Sequence, residues 1–195
     1  MNCGGPKRCS AALAALMAVC GPAVGAEVVS LQVERTGPRL EVHSEMLIDA
    51  PQAWVFSALT NYERFAELSS RYRESRFEAP GADGTARVYT RMEGCVLFYC
   101  KTIERYSRLE TEPEHAIRAV VEPERSDFEY GLETWALSTV TTSEGPRTRV
   151  YYEHRFDPRF WVPPVLGVWA MRRALEKDAL KAATRIERLA LSERY

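Results

Sequence analysis

The chain has 195 residues, of which 46% are hydrophobic, and its formal net charge is −1 at pH 7. This length suits one domain with a substantial core. No run of basic side chains is longer than a pair such as Arg172-Arg173. The composition therefore lacks the basic stripe of nucleic-acid binders, and we expect no nucleic-acid partner.

The N-terminal segment has the layout of an export signal. Lys7 and Arg8 precede an uncharged apolar run at positions 11–19, which Gly21 and Pro22 close. The run is about half as long as the roughly 20 apolar residues that a membrane-spanning helix needs. The pattern predicts a signal peptide that is removed on export.

Small side chains at Val24 and Ala26 place the predicted cleavage site after Ala26. Residues 1–26 are then the signal peptide, and residues 27–195 form the mature domain in the periplasm or outside the cell. Lipidation of Cys20 is the alternative, although Val19 stands where a lipidation site usually has a smaller residue.

Only two of the five cysteines lie beyond the predicted signal, at Cys95 and Cys100. Cysteines that remain as a pair in an oxidising compartment most simply form a disulfide. We therefore expect Cys95 and Cys100 to be bonded to each other.

The first strong strand pattern runs from Leu40 to Asp49, where apolar and polar side chains alternate. This period of two predicts a half-buried antiparallel strand. Residues 28–34 alternate more weakly, and Thr36-Gly37-Pro38 supplies a turn between the two stretches.

Two short helices are predicted after this strand. Pro51 stands at the first helical position, and residues 54–59 follow at helical spacing. A second short helix is expected over 62–68, and residues 71–78 then have an extended pattern.

Further strand patterns follow one another with short turns, which predicts an antiparallel meander. They cover residues 86–93, 99–109, 116–122, 128–139 and 148–156. In the last of these, Val150, Tyr152, His154 and Phe156 share one face. The sheet is thus expected to be wet on one face and covered on the other.

The C-terminal segment predicts a long amphipathic helix. After Gly167 the chain has no further Pro or Gly, and apolar residues recur at steps of three and four. About 25 residues at 1.5 Å each are enough to cross the whole sheet.

The order of these elements, and several short motifs, resemble the START-like (SRPBCC) superfamily, which includes polyketide cyclases and coenzyme Q-binding proteins. The opening motif is Ile48-Asp49-Ala50-Pro51 followed by Trp54-Val55-Phe56 and residues 60–65. The later motifs are Ser126-Asp127-Phe128 with Gly131 and Trp135, Pro163-Pro164, and the helix end at 185–190. The similarity spans about residues 40–190, and these motifs concern the framework rather than catalysis.

The resemblance implies an α+β helix-grip fold, in which a curved antiparallel sheet of about six to seven strands wraps around the long C-terminal helix. It also implies a cavity between sheet and helix that takes a lipid, quinone, sterol or polyketide. We expect no cofactor. The side chains that we expect to line this cavity are Phe56, Leu97, Phe98, Phe128, Trp135, Tyr152, His154, Phe156, Trp161 and Trp169.

Catalytic chemistry has little support in the sequence. The three histidines, His43, His115 and His154, lie on three predicted strands without metal-ligand spacing, so no metal site is expected. Glu133, Glu153 and His154 are the acid or base candidates for a cyclase, and their spacing is not diagnostic. For His154, a hydrogen-bonded core histidine is the simpler interpretation.

The segment Val96–Tyr99 is apolar and lies between the two cysteines. A hairpin turn here would make Cys95 and Cys100 a cross-strand pair, with an apolar tip that either folds over the cavity mouth or contacts a membrane or a partner. A continuous strand would instead point the two cysteines to opposite faces.

Three functions remain open from the sequence. The leading one is an exported binding or carrier protein for a hydrophobic small molecule, because no residue pattern in the sequence supports enzymatic activity. A cyclase- or hydrolase-like enzyme on the same fold is the second. The third is a membrane-associated interaction module with a collapsed cavity.

Overall fold

A computed structural model describes residues 25–96, 99–143, 145–163 and 166–192. Within these ranges the chain forms eight strands and two α-helices. The strands are β1 (Glu27–Thr36), β2 (Arg39–Ile48), β3 (Tyr72–Glu78), β4 (Ala86–Val96), β5 (Tyr99–Glu112), β6 (Ala116–Val121), β7 (Phe128–Thr142) and β8 (Gly145–Pro158). The helices are α1 (Gln52–Thr60) and α2 (Leu166–Ser192), and short 3-10 turns lie at Phe65–Leu68 and Pro123–Arg125.

All eight strands belong to one open, curved sheet in the order β1-β2-β8-β7-β6-β5-β4-β3, and every neighbouring pair is antiparallel. The helix-grip architecture expected from the sequence is confirmed. The strand number is slightly higher than the expected six to seven. The weakest pattern belongs to β1, an edge strand in which only Val33 is buried and the pairing shifts register between Val28 and Ser30.

Helix α1 begins one residue later than predicted, because Pro51 is its N-cap residue rather than its first helical residue. The carbonyl of Pro51 accepts the amide N–H groups of Trp54 and Val55 at 3.0 and 3.1 Å. The second predicted helix is shorter than expected, since only Phe65–Leu68 forms a 3-10 turn. The N–H of Ala66 donates to Ser75 Oγ at 2.7 Å and is therefore not used in a helical hydrogen bond. The rings of Tyr62 and Phe65 stack at 4.5 Å beside it.

The outer face of the sheet is covered by charged side chains that pair between neighbouring strands. Arg149 on β8 contacts Glu45 on β2 at 3.1 Å, and Arg91 on β4 contacts Glu74 on β3 at 3.1 Å. Exposed pairs of this kind each contribute about 0–1 kcal/mol. Their main consequence is that the outer face is hydrated, while the concave face takes the apolar residues.

Helix α2 lies against the concave face and closes two apolar clusters. The larger cluster contains the C-terminal half of α2, where Ala183, Ile186 and Ala190 are almost fully buried against α1 and the adjoining strands. The second cluster gathers around Phe128 and Phe156, and the N-terminal half of α2 is only partly buried against it. No described helix is long and apolar enough to cross a membrane.

Candidate functional site

A cavity of about 850 Å³ lies between the concave face of the sheet and helix α2. Its walls come from β2, β4, β5, β7 and β8, from the segment around Phe65–Tyr72, and from residues 160–163 before α2. The side chains that α2 presents to it include three alanines. These are Ala174, Ala179 and Ala182. Because alanine reaches only one carbon beyond the helix backbone, the space between helix and sheet stays open.

Most of the lining is apolar, and it includes six of the side chains predicted from the sequence. These are Phe128, Trp135, Tyr152, His154, Phe156 and Trp161. Trp135 and Tyr152 contact each other with ring centroids 4.3 Å apart, and His154 and Phe156 with centroids 4.5 Å apart. The aromatic row on β8 and the neighbouring part of β7 therefore form one continuous wall.

Two predicted lining residues lie elsewhere. Phe56 on α1 packs against the larger core cluster and does not line the cavity. Trp169 lies on the first turn of α2 with 56% of its surface exposed, because that position faces away from the sheet. Trp161 does line the cavity but is 77% exposed, which places it at the opening. Leu97 and Phe98 lie outside the described residues.

An ion pair between Arg105 on β5 and Glu133 on β7 lies in the middle of this apolar surface. Arg105 Nη1 is 2.8 Å from Glu133 Oε2, and the side chains of both residues are 2% exposed. Glu133 Oε1 accepts a hydrogen bond from Tyr152 Oη at 3.0 Å, and Arg105 Nε donates to Thr90 Oγ1 at 3.2 Å. Thr90 lies opposite Arg105 in the pairing of β4 with β5. The ion pair is thus flanked by Thr90 on the Arg105 side and by Tyr152 on the Glu133 side.

The two partners fix each other's charge. Burial alone would raise the pKa of the Glu133 carboxyl, but the Arg105 guanidinium outweighs it and the pKa lies below its usual value. Burial would lower the pKa of Arg105, but Glu133 more than compensates, so that it stays above its ordinary value. Glu133 is thus a carboxylate and Arg105 a cation at neutral pH.

The neighbouring titratable groups are neutral. Burial and the charge of Glu133 raise the pKa of Tyr72 to about 12, and they raise the pKa of Tyr152 as well. Burial lowers the pKa of His154 to about 4, although Glu133 opposes this change. No described residue offers a hydrogen bond to His154 Nε2. One ring nitrogen of this buried histidine, Nε2, is therefore left for another partner.

Of the three acid or base candidates, Glu133 and His154 line the cavity and Glu153 does not. Glu153 lies on the outer face, where its carboxylate and that of Glu41 flank His43 at 3.8 and 3.7 Å. These three residues could together offer metal ligands, with the atoms within 4.8 Å of one another. Arg155 contacts both carboxylates, so the two acids already share a cation from the protein itself.

Strands β4 and β5 pair in register up to Val96 and Tyr99, which makes Cys95 and Cys100 direct cross-strand partners. Their sulfur atoms form a disulfide, with the Cα atoms 4.0 Å apart. The structure thus has the cross-strand pairing rather than a continuous strand. The residues between Val96 and Tyr99 lie outside the described ranges, and membrane contact through this tip stays a prediction.

No protein-family model matches the chain, and no curated protein matches it. Solved structures do match. The ZhuI aromatase/cyclase from Streptomyces sp. R1128 has a TM-score of 0.57 and 14% identity, over 80% of this chain and 96% of its own. A START superfamily protein from Mycobacterium smegmatis has a TM-score of 0.59 and 16% identity, over 76% and 98% of the two chains.

The chain has the START-like fold. A protein from Thermus thermophilus also matches, with a TM-score of 0.53 and 19% identity over 80% of this chain and 99% of its own. At these identities the likeness concerns the START-like backbone arrangement alone. The cavity and its polar groups are features of this chain's own residues.

Arg105→Met should strongly destabilise the protein, because it leaves the Glu133 carboxylate buried without its cation. We expect the free energy of unfolding in urea to fall by about 3–5 kcal/mol. The double variant Arg105→Met/Glu133→Gln should be more stable than the single variant, since the glutamine oxygen still accepts from Tyr152. A double variant less stable than the single one would show that the ion pair does not act as a unit.

His154 should make the protein less stable as the pH falls. Its pKa in the folded state, about 4, is below its ordinary 6.5, so the unfolded chain binds the proton first and stability decreases below pH 6.5. Between about pH 7.5 and pH 5 this loss amounts to roughly 2 kcal/mol. His154→Phe should flatten the pH dependence of urea unfolding in that range. Equal slopes in the two proteins would contradict a buried, neutral His154.

Proposed function

We propose that this protein binds and carries a hydrophobic small molecule in the cavity between the sheet and α2. The observation that carries the proposal is the cavity of about 850 Å³, lined mainly by aromatic and aliphatic side chains. Small-molecule sites commonly measure roughly 300–1,000 Å³ and combine apolar walls with a few polar groups. The Arg105–Glu133 pair supplies polar groups of this kind.

Affinity in such a site comes mostly from removing the ligand's apolar surface from water. Each methylene buried contributes about 0.8 kcal/mol, which corresponds to roughly a fourfold gain in affinity. The polar groups of Arg105 and His154 determine the orientation of the ligand in the cavity. The interaction-module alternative needs a collapsed cavity, which is not the arrangement of these residues.

The structural neighbours support the same class of ligand. One is named as an aromatase/cyclase and another as a START superfamily protein. We extend only this class, a hydrophobic small molecule, to the present protein.

We also propose that the protein acts after export, in the periplasm or outside the cell. The basic and apolar start of the chain and the pairing of Cys95 with Cys100 both support this location. The protein purified from its native exporting cell should begin near Glu27 and show no free thiol when denatured without reductant. Two titratable thiols in the mature protein would contradict the proposal.

Filling the cavity should abolish ligand binding without unfolding the protein. Ala179→Trp places an indole where α2 faces the cavity, and we expect it to reduce the affinity for a neutral solvatochromic dye such as Nile red at least tenfold. Lys177→Trp introduces the same side chain on the exposed face of the same helix. This control should bind the dye as the wild type does. Equal binding by Ala179→Trp and wild type would show that the dye does not occupy the cavity.

A cyclase- or hydrolase-like enzyme is the second candidate. It is favoured by the ionisable cluster of Glu133, Tyr152 and His154 inside an apolar cavity, because active sites often combine burial with shifted pKa values. Against it, both oxygens of Glu133 are engaged by Arg105 and Tyr152. Mass spectrometry of a bound ligand distinguishes the two functions. A carrier returns it unchanged, whereas an enzyme returns a product that His154→Phe no longer forms.

A further inference from the structure

The polar groups of the cavity form one cluster on the concave face. Glu133 on β7 and His154 on β8 are direct cross-strand partners, so their Cβ atoms lie about 5 Å apart. Arg105 joins them through its contact of 2.8 Å with Glu133. The three residues are at most 8% exposed, and all three line the cavity.

Three buried polar atoms of this cluster have no hydrogen bond among the described residues. One is Glu133 Oε2, which lies in the ion pair, 2.8 Å from Arg105 Nη1. The other two are Arg105 Nη2, a donor, and His154 Nε2, which donates or accepts according to the tautomer. Glu133 Oε1 and Arg105 Nε have the hydrogen-bond partners already described, Tyr152 and Thr90. Buried polar atoms are normally hydrogen-bonded because an unpaired one loses its water without compensation. Two unpaired atoms in the wall of one cavity therefore indicate where a ligand's polar group is recognised.

The charges of the cluster cancel. Arg105 is positive and Glu133 negative, and burial holds the pKa of His154 at about 4, so the imidazole is uncharged at neutral pH. The other cations that line the cavity also have acids beside them. Arg71 contacts Asp178 at 3.1 Å, and Lys101 contacts Asp127 at 3.2 Å.

A ligand carboxylate would add a negative charge next to Glu133 in a site without a spare cation. Moving such a charge out of water is costly unless an opposite charge compensates it. An uncharged oxygen needs no such compensation. A carbonyl oxygen accepts from Arg105 Nη2, and a hydroxyl group both accepts and donates.

We propose that the cavity selects apolar molecules that end in an uncharged carbonyl or hydroxyl group, paired with Arg105 Nη2 and His154 Nε2, and that it discriminates against free carboxylates. This selectivity rests on the proposed binding function and specifies its ligand class. Apolar ketones, esters, phenols and alcohols satisfy the site, and fatty-acid anions do not.

The test compares matched probes of one chain length at pH 7.5: decanol, the corresponding methyl ketone, decanoate and decane. Each competes with Nile red for the wild-type protein. We expect decanol and the ketone to bind at least tenfold more tightly than decanoate. Decanoate binding as tightly as decanol would overturn the selectivity while leaving the binding function intact. Failure of the dye and of all four probes to bind would overturn the proposed function itself.

His154→Phe tests the residue assignment with a side chain of similar shape. We expect the preference for decanol over decane to fall by about three- to tenfold, the range of one neutral hydrogen bond. The matched control is His115→Phe, at an exposed histidine outside the cavity, and it should keep the wild-type preference. An unchanged preference in His154→Phe would overturn the role of His154.

Discussion

The ion pair between Arg105 and Glu133 is the interaction around which the cavity is organised. Two opposite charges with 2% exposure lie in the middle of an apolar concave surface, 2.8 Å apart. Neither charge is tolerable there without the other, because the desolvation of a single buried ion is too costly. The pair also determines its surroundings. It orients Tyr152 through Glu133 and engages Thr90 through Arg105, and it leaves one guanidinium nitrogen directed at no acceptor among the described residues.

The open space around this pair follows from how α2 meets the sheet. The C-terminal half of the helix is anchored by Ala183, Ile186 and Ala190, which are buried against α1 and the strands. Further toward its N-terminus the helix lines the cavity with Ala174 and Ala179 between larger side chains such as Leu175, and the gap is not filled. The cavity therefore arises because α2 packs tightly against the core at its C-terminal half and leaves space between itself and the sheet at its N-terminal half. The same arrangement puts the opening beside Trp161, near the start of α2.

Much of this fold could be predicted from the sequence because its signals are local. Alternation in β2 and β8 and the long apolar stripe of α2 each report a single buried face, which periodicity detects directly. The segment at 62–68 was harder. There the amide of Ala66 donates to the side chain of Ser75 on β3, and such a contact between two elements leaves no trace in the local periodicity.

The site was predictable only in part. Alternation along the strands identifies inward aromatic residues such as Trp135 and Tyr152. It does not help with Phe56, on the short helix α1, or with Trp169, on the first turn of α2, because the inward face of so short a helical stretch cannot be assigned from its sequence. Arg105 was missed, although a usable signal existed. It shares the inward register of Ile103, Ser107 and Leu109, and a charged residue at an inward position implies a buried partner. The identity of that partner, Glu133, depends on the pairing of distant strands.

Native mass spectrometry of the protein after incubation with a total lipid extract tests the central claim most directly. We expect the wild-type protein to retain one small apolar molecule, which releases on denaturation and carries an uncharged oxygen group. The Ala179→Trp variant should retain none, while Lys177→Trp should behave as the wild type does. A wild-type protein that stays at its bare mass in the presence of excess extract would contradict a ligand-binding cavity.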